Sequence, residues 1–138
     1  MGDPDDITDF ELYNAIKTSV LSGGVNHIDT APNYRYMKSE KTVGKALTVL
    51  ENKYDIKRDQ LFVTSKGGYV PENAEELISR REMMDKMINE VGVPEDSFVQ
   101  ESGHCLDPKF LEYQLDESLN RLNLETLDVY YLHNPYEA

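Results

Sequence analysis

Three strand-like segments of this chain each end at a side chain that can carry charge or a proton. The segments cover residues 25–28, 61–65 and 127–132, and they end at Asp29, Lys66 and His133. Helical patterns alternate with these segments, an order typical of βαβ units and a parallel α/β sheet. Because parallel strands present their carboxyl ends at one edge of a sheet, we expect the three side chains to lie together.

The spacing of apolar residues and of helix-end signals predicts four helices. They cover residues 8–21, 39–54, 72–91 and 108–122. Thr8 and Glu11 have the spacing of a capping box, and Ser39 is the predicted N-cap of the second helix. The fourth helix is expected to begin with Asp107 as N-cap and Pro108 in the first position.

Apolar residues recur on one face of each predicted helix. In the first helix they include Phe10 and Val20, and in the third Leu77, Met84, Ile88 and Val91. The second and fourth helices carry Val43, Ala46, Leu47 and Leu50, and Phe110, Leu111, Leu115, Leu119 and Leu122. We expect these faces to be buried.

The interval between Lys66 and His133 is much longer than the interval between Asp29 and Lys66. The excess predicts an insertion at about residues 69–106, between the strand ending at Lys66 and the helix at 108–122. Residues 1–138 as a whole are predicted to form one domain. Its charged, methionine-rich helix is expected to lie over the sheet. A methionine-rich docking surface is the alternative.

Composition excludes several classes of function. The formal net charge of −12, from 26 acidic and 14 basic residues, would repel phosphate backbones, so no nucleic-acid partner is expected. No apolar run approaches the roughly 20 residues that span a bilayer, and the N-terminus lacks the apolar region of a signal peptide. One cysteine, Cys105, excludes an internal disulfide and favours a cytoplasmic location.

Four polar groups in a fixed order resemble a known family. The motifs are Asp29-Thr30-Ala31 with Tyr34 five residues after Asp29, Thr64-Ser65-Lys66, and the run Tyr-Leu-His-Asn-Pro at 131–135. This set is similar to that of the aldo-keto reductases, which are NAD(P)H-dependent enzymes on a (β/α)8 barrel. The match covers essentially the whole chain, roughly strands two to four of that TIM barrel, and a whole barrel needs about 250 residues. The barrel is therefore expected to be incomplete.

The resemblance implies a catalytic set of Asp29, Tyr34, Lys66 and His133. Tyr34 would be the general acid that protonates the carbonyl oxygen, assisted by Lys66 and Asp29. Tyr34 and His133 would bind the substrate carbonyl, and Asp29 would also lie beside the nicotinamide ribose. The cofactor would be NADP or NAD, with NADP favoured by the resemblance, and the substrate a small aldehyde or ketone.

A partial barrel leaves open sheet edges and exposed apolar strand faces. We therefore expect the missing barrel half to be supplied by the same longer chain or by a partner polypeptide, and the isolated chain to be inactive. The alternative is a non-catalytic structural or regulatory subunit that keeps the same residues unused.

Other polar residues are given structural roles. Tyr36 has the wrong offset from Asp29 and is expected to pack, and His27 is expected to be a half-buried strand residue. The pair His104-Cys105 lacks further ligands at metal-like spacing and lacks a paired base, so no metal site and no second nucleophile are predicted.

Overall fold

The computed structural model describes residues 4–137. Four α-helices lie in this range: α1 (Asp6–Leu21), α2 (Lys38–Tyr54), α3 (Arg80–Lys86) and α4 (Pro108–Leu122). Five strands accompany them: β1 (His27–Asp29), β2 (Phe62–Gly67), β3 (Phe98–Val99), β4 (His104–Cys105) and β5 (Val129–Leu132). Among the described residues, no helix has the length and apolar character that crossing a membrane requires.

The main sheet has the strand order β1-β2-β5, and both pairings are parallel. Asp29 is paired with Thr64, and Lys66 with Tyr131, so the carboxyl ends of the three strands lie at one edge. This arrangement confirms the predicted parallel α/β fold. It also places Asp29, Lys66 and the segment that follows β5 beside one another.

One core cluster lies between this sheet and the helices α1, α2 and α4. The buried face of α2 carries Val43, Ala46, Leu47 and Leu50, as its spacing predicted. The cluster is completed by Val20, Ile28, Leu61, Val63 and Leu122. Apolar contact across a sheet of this kind is the dominant stabilising term of an α/β fold.

The starts of α1 and α2 differ from the prediction. The carboxylate of Asp5 caps α1 by accepting a hydrogen bond from the Thr8 amide at 2.7 Å, so Thr8 lies within the first turn and makes no capping box with Glu11. Ser39 lies inside α2, which follows Met37 in a left-handed conformation. The Ser39 hydroxyl bonds the Thr30 hydroxyl at 3.0 Å instead of capping a helix.

The apolar face predicted for α1 is only partly buried. Val20 is buried, whereas Phe10 is 67% exposed. The helix contacts the rest of the described chain mainly through α2.

The predicted helix at residues 72–91 is wrong over its first half. The side chain of Asn73 accepts hydrogen bonds from the amides of Glu75 and Glu76, which turns the chain away from helical geometry. Leu77 has φ 57° and is 87% exposed, so it is not part of an apolar stripe. The helix α3 starts only after Ser79, whose hydroxyl forms a capping box with Glu82.

The segment that follows β2 forms a second core cluster against α4. Met83, Met84 and Met87 are buried there with Val70, Val93, Phe98, Cys105 and Phe110. The methionines therefore fill a core and do not form an exposed docking surface. The antiparallel pair β3–β4 contributes Phe98 and Cys105 to this cluster, and the sequence did not predict this pair.

The fourth helix begins at the predicted cap, with Asp107 accepting from the Lys109 amide and Pro108 in the first turn. The predicted apolar face is buried at Phe110 and Leu122, but the line between them is not the predicted row of leucines. The fully buried positions are Phe110, Gln114, Ser118 and Leu122, while Leu111, Leu115 and Leu119 are half-buried. Burial of Gln114 is stabilised by two hydrogen bonds to the segment after β2, because its amide accepts from the Gly68 N–H and donates to the Tyr69 carbonyl.

Candidate active site

Asp29 and Lys66 form a close ion pair at the carboxyl end of the sheet. The Lys66 ammonium donates to Asp29 Oδ2 at 2.6 Å and to the Thr30 carbonyl at 2.9 Å. The Thr64 hydroxyl donates to Asp29 Oδ1 at 2.6 Å. Adjacent parallel strands bring these groups together, since Asp29 ends β1 and Thr64 and Lys66 lie on β2.

These contacts determine the charge of Asp29. Partial burial raises the pKa of this carboxyl, but the hydrogen bonds from Lys66 and Thr64 lower the pKa by more, so the pKa lies below its ordinary value. Asp29 is consequently an anion at neutral pH, paired with an ammonium whose side chain is only 14% exposed.

Tyr34 lies on the turn after β1 and faces the same lysine. The Lys66 nitrogen is 4.8 Å from the centre of the Tyr34 ring, within the range of a cation–π contact. The Tyr34 carbonyl accepts from the Ser39 amide at 3.4 Å, which ties the turn to the start of α2. The Lys66 ammonium thus lies close to both groups, 4.8 Å from the Tyr34 ring centre and 2.6 Å from the Asp29 carboxylate.

The loop after Tyr34 has an unusual backbone. Arg35, Tyr36 and Met37 have φ values of 52°, 54° and 72°, a left-handed region that non-glycine residues rarely adopt. Such a conformation persists where the surroundings hold it. Arg35, only 5% exposed, is held by an ion pair to Asp9 on α1 at 2.7 Å, and Lys38 binds the other oxygen of the same carboxylate at 2.8 Å.

His133 follows β5 and completes the group. Its amide donates to the Gly67 carbonyl at 2.7 Å, which continues the sheet pairing by one residue. Its ring lies edge-to-face with the Tyr34 ring, with centroids 5.9 Å apart and an angle of 85° between the planes. The structure therefore brings together all four residues of the predicted site, Asp29, Tyr34, Lys66 and His133.

Two residues near His133 were not predicted as part of the site. The Tyr69 ring packs edge-to-face on the His133 ring at 5.0 Å and on the His104 ring at 4.8 Å. His104 Nε2 is 2.6 Å from the His133 carbonyl oxygen. Sequence reasoning singled out His104 only as half of a possible metal or nucleophile pair. Its position depends on the fold of the β3–β4 hairpin, for which the sequence carried no signal.

The remaining candidates occupy other environments. Tyr36 is 45% exposed and does not pack as expected. His27 is exposed rather than half-buried, with its ring edge-to-face on Phe62. Cys105 is buried, and burial raises the pKa of its thiol. Within residues 4–137, no group of three or more histidine, cysteine or acidic side chains is arranged to hold a metal ion.

The carboxylate oxygens of Asp29 are hydrogen-bond acceptors that fit a hydroxyl-bearing ligand such as a nicotinamide ribose. A carboxylate offers about four lone-pair positions, and Lys66 and Thr64 use one on each oxygen. The Asp29 side chain is 44% exposed, so the remaining lone-pair positions are accessible to solvent at the carboxyl ends of the strands. Asp29 can therefore accept a further hydrogen bond without losing its present ones.

Comparisons with known proteins agree with this geometry. A family model described as the aldo/keto reductase family matches residues 2–138. The NADH-specific methylglyoxal reductase of Escherichia coli (strain K12) is 33% identical over 110 residues, which are 80% of this chain and 27% of that protein.

Solved structures share the fold. The aldose reductase of Giardia lamblia superposes with a TM-score of 0.54 at 19% identity, covering 91% of this chain and 29% of that one. The aldose reductase of Schistosoma japonicum gives 0.55 at 21% identity, covering 95% and 30%. The chain thus spans less than a third of the length of these relatives. Together with the strand order and the site at the carboxyl edge of the sheet, these matches show that the chain belongs to the aldo/keto reductase family and forms part of its (β/α)8 barrel.

Proposed function

We propose that this protein, in a complete barrel, reduces an aldehyde or ketone to an alcohol with NADPH or NADH. The observation that carries the proposal is the position of the Lys66 ammonium, bonded to Asp29 and facing the ring of Tyr34. Carbonyl reduction requires a proton donor beside the oxygen that gains negative charge. A phenol next to an ammonium is suited to that role, since the cation stabilises the phenolate left behind.

Each residue has a separate task in this proposal. Tyr34 Oη donates the proton to the carbonyl oxygen, and Lys66 stabilises the phenolate that results. Asp29 holds Lys66 in place and binds the nicotinamide ribose. His133 donates a hydrogen bond to the carbonyl oxygen and orients it. The nicotinamide, when bound, supplies the hydride that adds to the carbonyl carbon.

The choice of substrate and cofactor rests on similarity. The relative named as an NADH-specific methylglyoxal reductase makes methylglyoxal and NADH the first pair to test. NADPH is tested alongside, because the resemblance of the motifs favours NADP. We also propose a cytoplasmic location, which the single cysteine supports, because one cysteine forms no internal disulfide and disulfides are typical of oxidising compartments.

Activity is proposed to need the complete barrel. Within residues 4–137 the sheet has three parallel strands, and closing a barrel of this type takes eight. The missing strands would come from the same longer chain or from a partner polypeptide. The assays below therefore use the complete barrel.

The decisive experiment is the substitution Tyr34→Phe. Removing the phenolic hydroxyl removes the proton donor, so kcat for methylglyoxal reduction should fall by about 10²- to 10⁴-fold. Binding of NADH, followed by its fluorescence, should remain near the wild-type value. The matched control is Tyr36→Phe, which makes the same chemical change two residues along the same loop and should leave kcat unchanged.

Unchanged turnover in Tyr34→Phe would remove Tyr34 from the acid role. A complete wild-type barrel that binds neither NADH nor NADPH, yet assembles stably with another protein, would favour the structural or regulatory subunit instead.

A further inference from the structure

His104 is buried at the point where the segment after β2 returns to the active site. Its side chain has 0% exposure. Its backbone is held on two sides, because His104 pairs with Val99 in the β3–β4 hairpin and forms a bridge with Tyr69. The imidazole is therefore fixed in position by the surrounding chain.

The contact between His104 and His133 has a defined direction. A carbonyl oxygen only accepts hydrogen bonds, so His104 Nε2, at 2.6 Å from the His133 oxygen, must carry the hydrogen. The other ring nitrogen, Nδ1, is buried and has no hydrogen-bond partner in the part of the chain that the structure describes. Among the described residues, the buried His104 ring therefore makes one hydrogen bond, which it donates to the backbone carbonyl of His133.

Gly68 leaves the space that this bond needs. A Cβ atom at Gly68 would lie 2.8 Å from His104 Nε2 and 3.3 Å from the His133 carbonyl oxygen. Its φ of +134° is also a conformation that side-chain-bearing residues rarely adopt. A larger residue at position 68 would therefore push the two histidines apart.

The ring of His133 is supported from the same direction. The Tyr69 ring contacts both the His104 ring and the His133 ring, with centroids 4.8 and 5.0 Å apart and both pairs close to perpendicular. The His133 ring also contacts the Tyr34 ring edge-to-face, with centroids 5.9 Å apart. The backbone of His133 thus contacts His104 and its ring contacts Tyr69, and both residues lie near the ends of the predicted insertion at 69–106.

We propose that His104 is a positioning residue for carbonyl reduction, setting the orientation of His133 through its carbonyl group and through Tyr69. This inference rests on the proposed function, in which His133 orients the substrate. His104 does not touch the substrate. Its removal leaves His133 in place along the chain but frees its ring from a fixed direction.

The test compares His104→Leu with His104→Gln in the complete barrel. Leucine fills similar volume without a donor, and misalignment of a positioned group by about 1 Å costs up to roughly 100-fold in rate. We expect kcat/KM for methylglyoxal with NADH to fall by about 10- to 100-fold in His104→Leu, with the dissociation constant for NADH unchanged. His104→Gln, which keeps an N–H donor, should recover most of the loss.

Cys105→Ala is the matched control, because it perturbs the neighbouring buried position of the same hairpin without touching His133. It should leave kcat/KM at the wild-type value. If Cys105→Ala and His104→Leu lower kcat/KM equally, or if His104→Gln recovers nothing, the effect is on the hairpin alone and the proposal is overturned.

A second readout does not depend on turnover. In the complete barrel, the ¹⁵N signals of the His133 ring can be assigned in NMR spectra by their loss in a His133→Gln variant. His104→Leu should shift these signals, and unchanged His133 signals would overturn the proposal. An inactive wild-type barrel would count against the proposed function, whereas the His133 signals would still decide the role of His104.

Discussion

Asp29 illustrates how few contacts set the charge of a functional group. Burial alone would raise the pKa of this carboxyl and favour its neutral form. Hydrogen bonds from Lys66 and Thr64 outweigh burial and keep the pKa below its ordinary value. Because the pKa of Asp29 is lowered in the folded protein, the hydrogen bonds from Lys66 and Thr64 stabilise the fold above the ordinary carboxyl pKa of about 4. This contribution is lost as the pH falls through the lowered pKa of the folded protein.

Replacing Lys66 by methionine should therefore raise the pKa of Asp29. The substitution removes a hydrogen bond and a positive charge, while the desolvation that disfavours the carboxylate remains. A ¹³C NMR titration of the Asp29 carboxyl measures the change directly. Lys45→Met, on the exposed face of α2, makes the same substitution away from the site and should leave the pKa of Asp29 unaltered.

An Asp29 titration that is the same in Lys66→Met as in the wild type would mean that the ion pair does not control the carboxylate. Lys66 would then have no role in setting the charge of Asp29, and its proposed catalytic role would rest on its contact with the Tyr34 ring alone.

At the level of elements, the carboxylate of Asp9 connects α1 to the loop that follows Tyr34. Asp9 on α1 pairs with Arg35 and with Lys38, whose side chains are 6% and 11% exposed. Partial burial raises the pKa of Asp9, but the hydrogen bonds from Lys38 and Arg35 lower the pKa by more. Arg35 is the first of the three left-handed residues after Tyr34, and Lys38 directly follows the last one. The two ion pairs of Asp9 therefore hold this loop against α1.

Asp9→Asn should destabilise the protein at neutral pH. The substitution leaves two largely buried cations without the carboxylate of Asp9, and we expect a loss of about 1 to 3 kcal/mol in the free energy of unfolding, since the Asp9 side chain keeps some solvent contact. The lowered pKa means that this difference is present above about pH 4 and shrinks as the pH falls further. Urea denaturation at several pH values, followed by circular dichroism, measures it.

The control for this experiment is Asp6→Asn. Asp6 also approaches Lys38, at 3.4 Å, but its side chain is fully exposed, so its removal should change stability little. Equal losses in the two variants would show that general surface charge, rather than the buried contact of Asp9, stabilises the loop.

At the scale of the whole molecule, the sheet is incomplete. Within residues 4–137, β1 and β5 each pair on one side only. Apolar side chains are exposed on the sheet strands, with Tyr131 45%, Leu132 50% and Phe62 41% accessible. Unpaired strand edges with exposed apolar residues favour association with another chain or another part of the same chain.

We therefore expect residues 1–138, prepared alone, to associate as their concentration rises. Leu132→Lys should reduce the association, because it places a charge beside the open edge of β5. Leu77→Lys changes a leucine that is 87% exposed in the segment after β2 and should have no such effect. Light scattering coupled to size-exclusion chromatography gives the mass of each variant, and a wild-type chain that stays monomeric and unfolds cooperatively would contradict the expectation.

Local patterns predicted the parts of the fold that depend on neighbouring residues. The buried face of α2 follows from its apolar spacing, and the cap of α4 follows from Asp107 and Pro108. The parallel sheet followed from the alternation of helices and strands. The helix predicted at residues 72–91 is wrong over its first half, because the Asn73 side chain accepts hydrogen bonds from the amides of Glu75 and Glu76. This turn competes with helix formation, and apolar spacing does not reveal it.

The sequence by itself determined which chemical groups stand at the strand ends, because Asp29, Lys66 and His133 each follow a recognisable strand and Tyr34 lies on the next turn. Only the tertiary structure decided what supports them. His104 reaches His133, and Asp9 reaches Arg35, across long intervals of chain. Contacts of this kind arise when separate elements pack together, and no local spacing of residues encodes them.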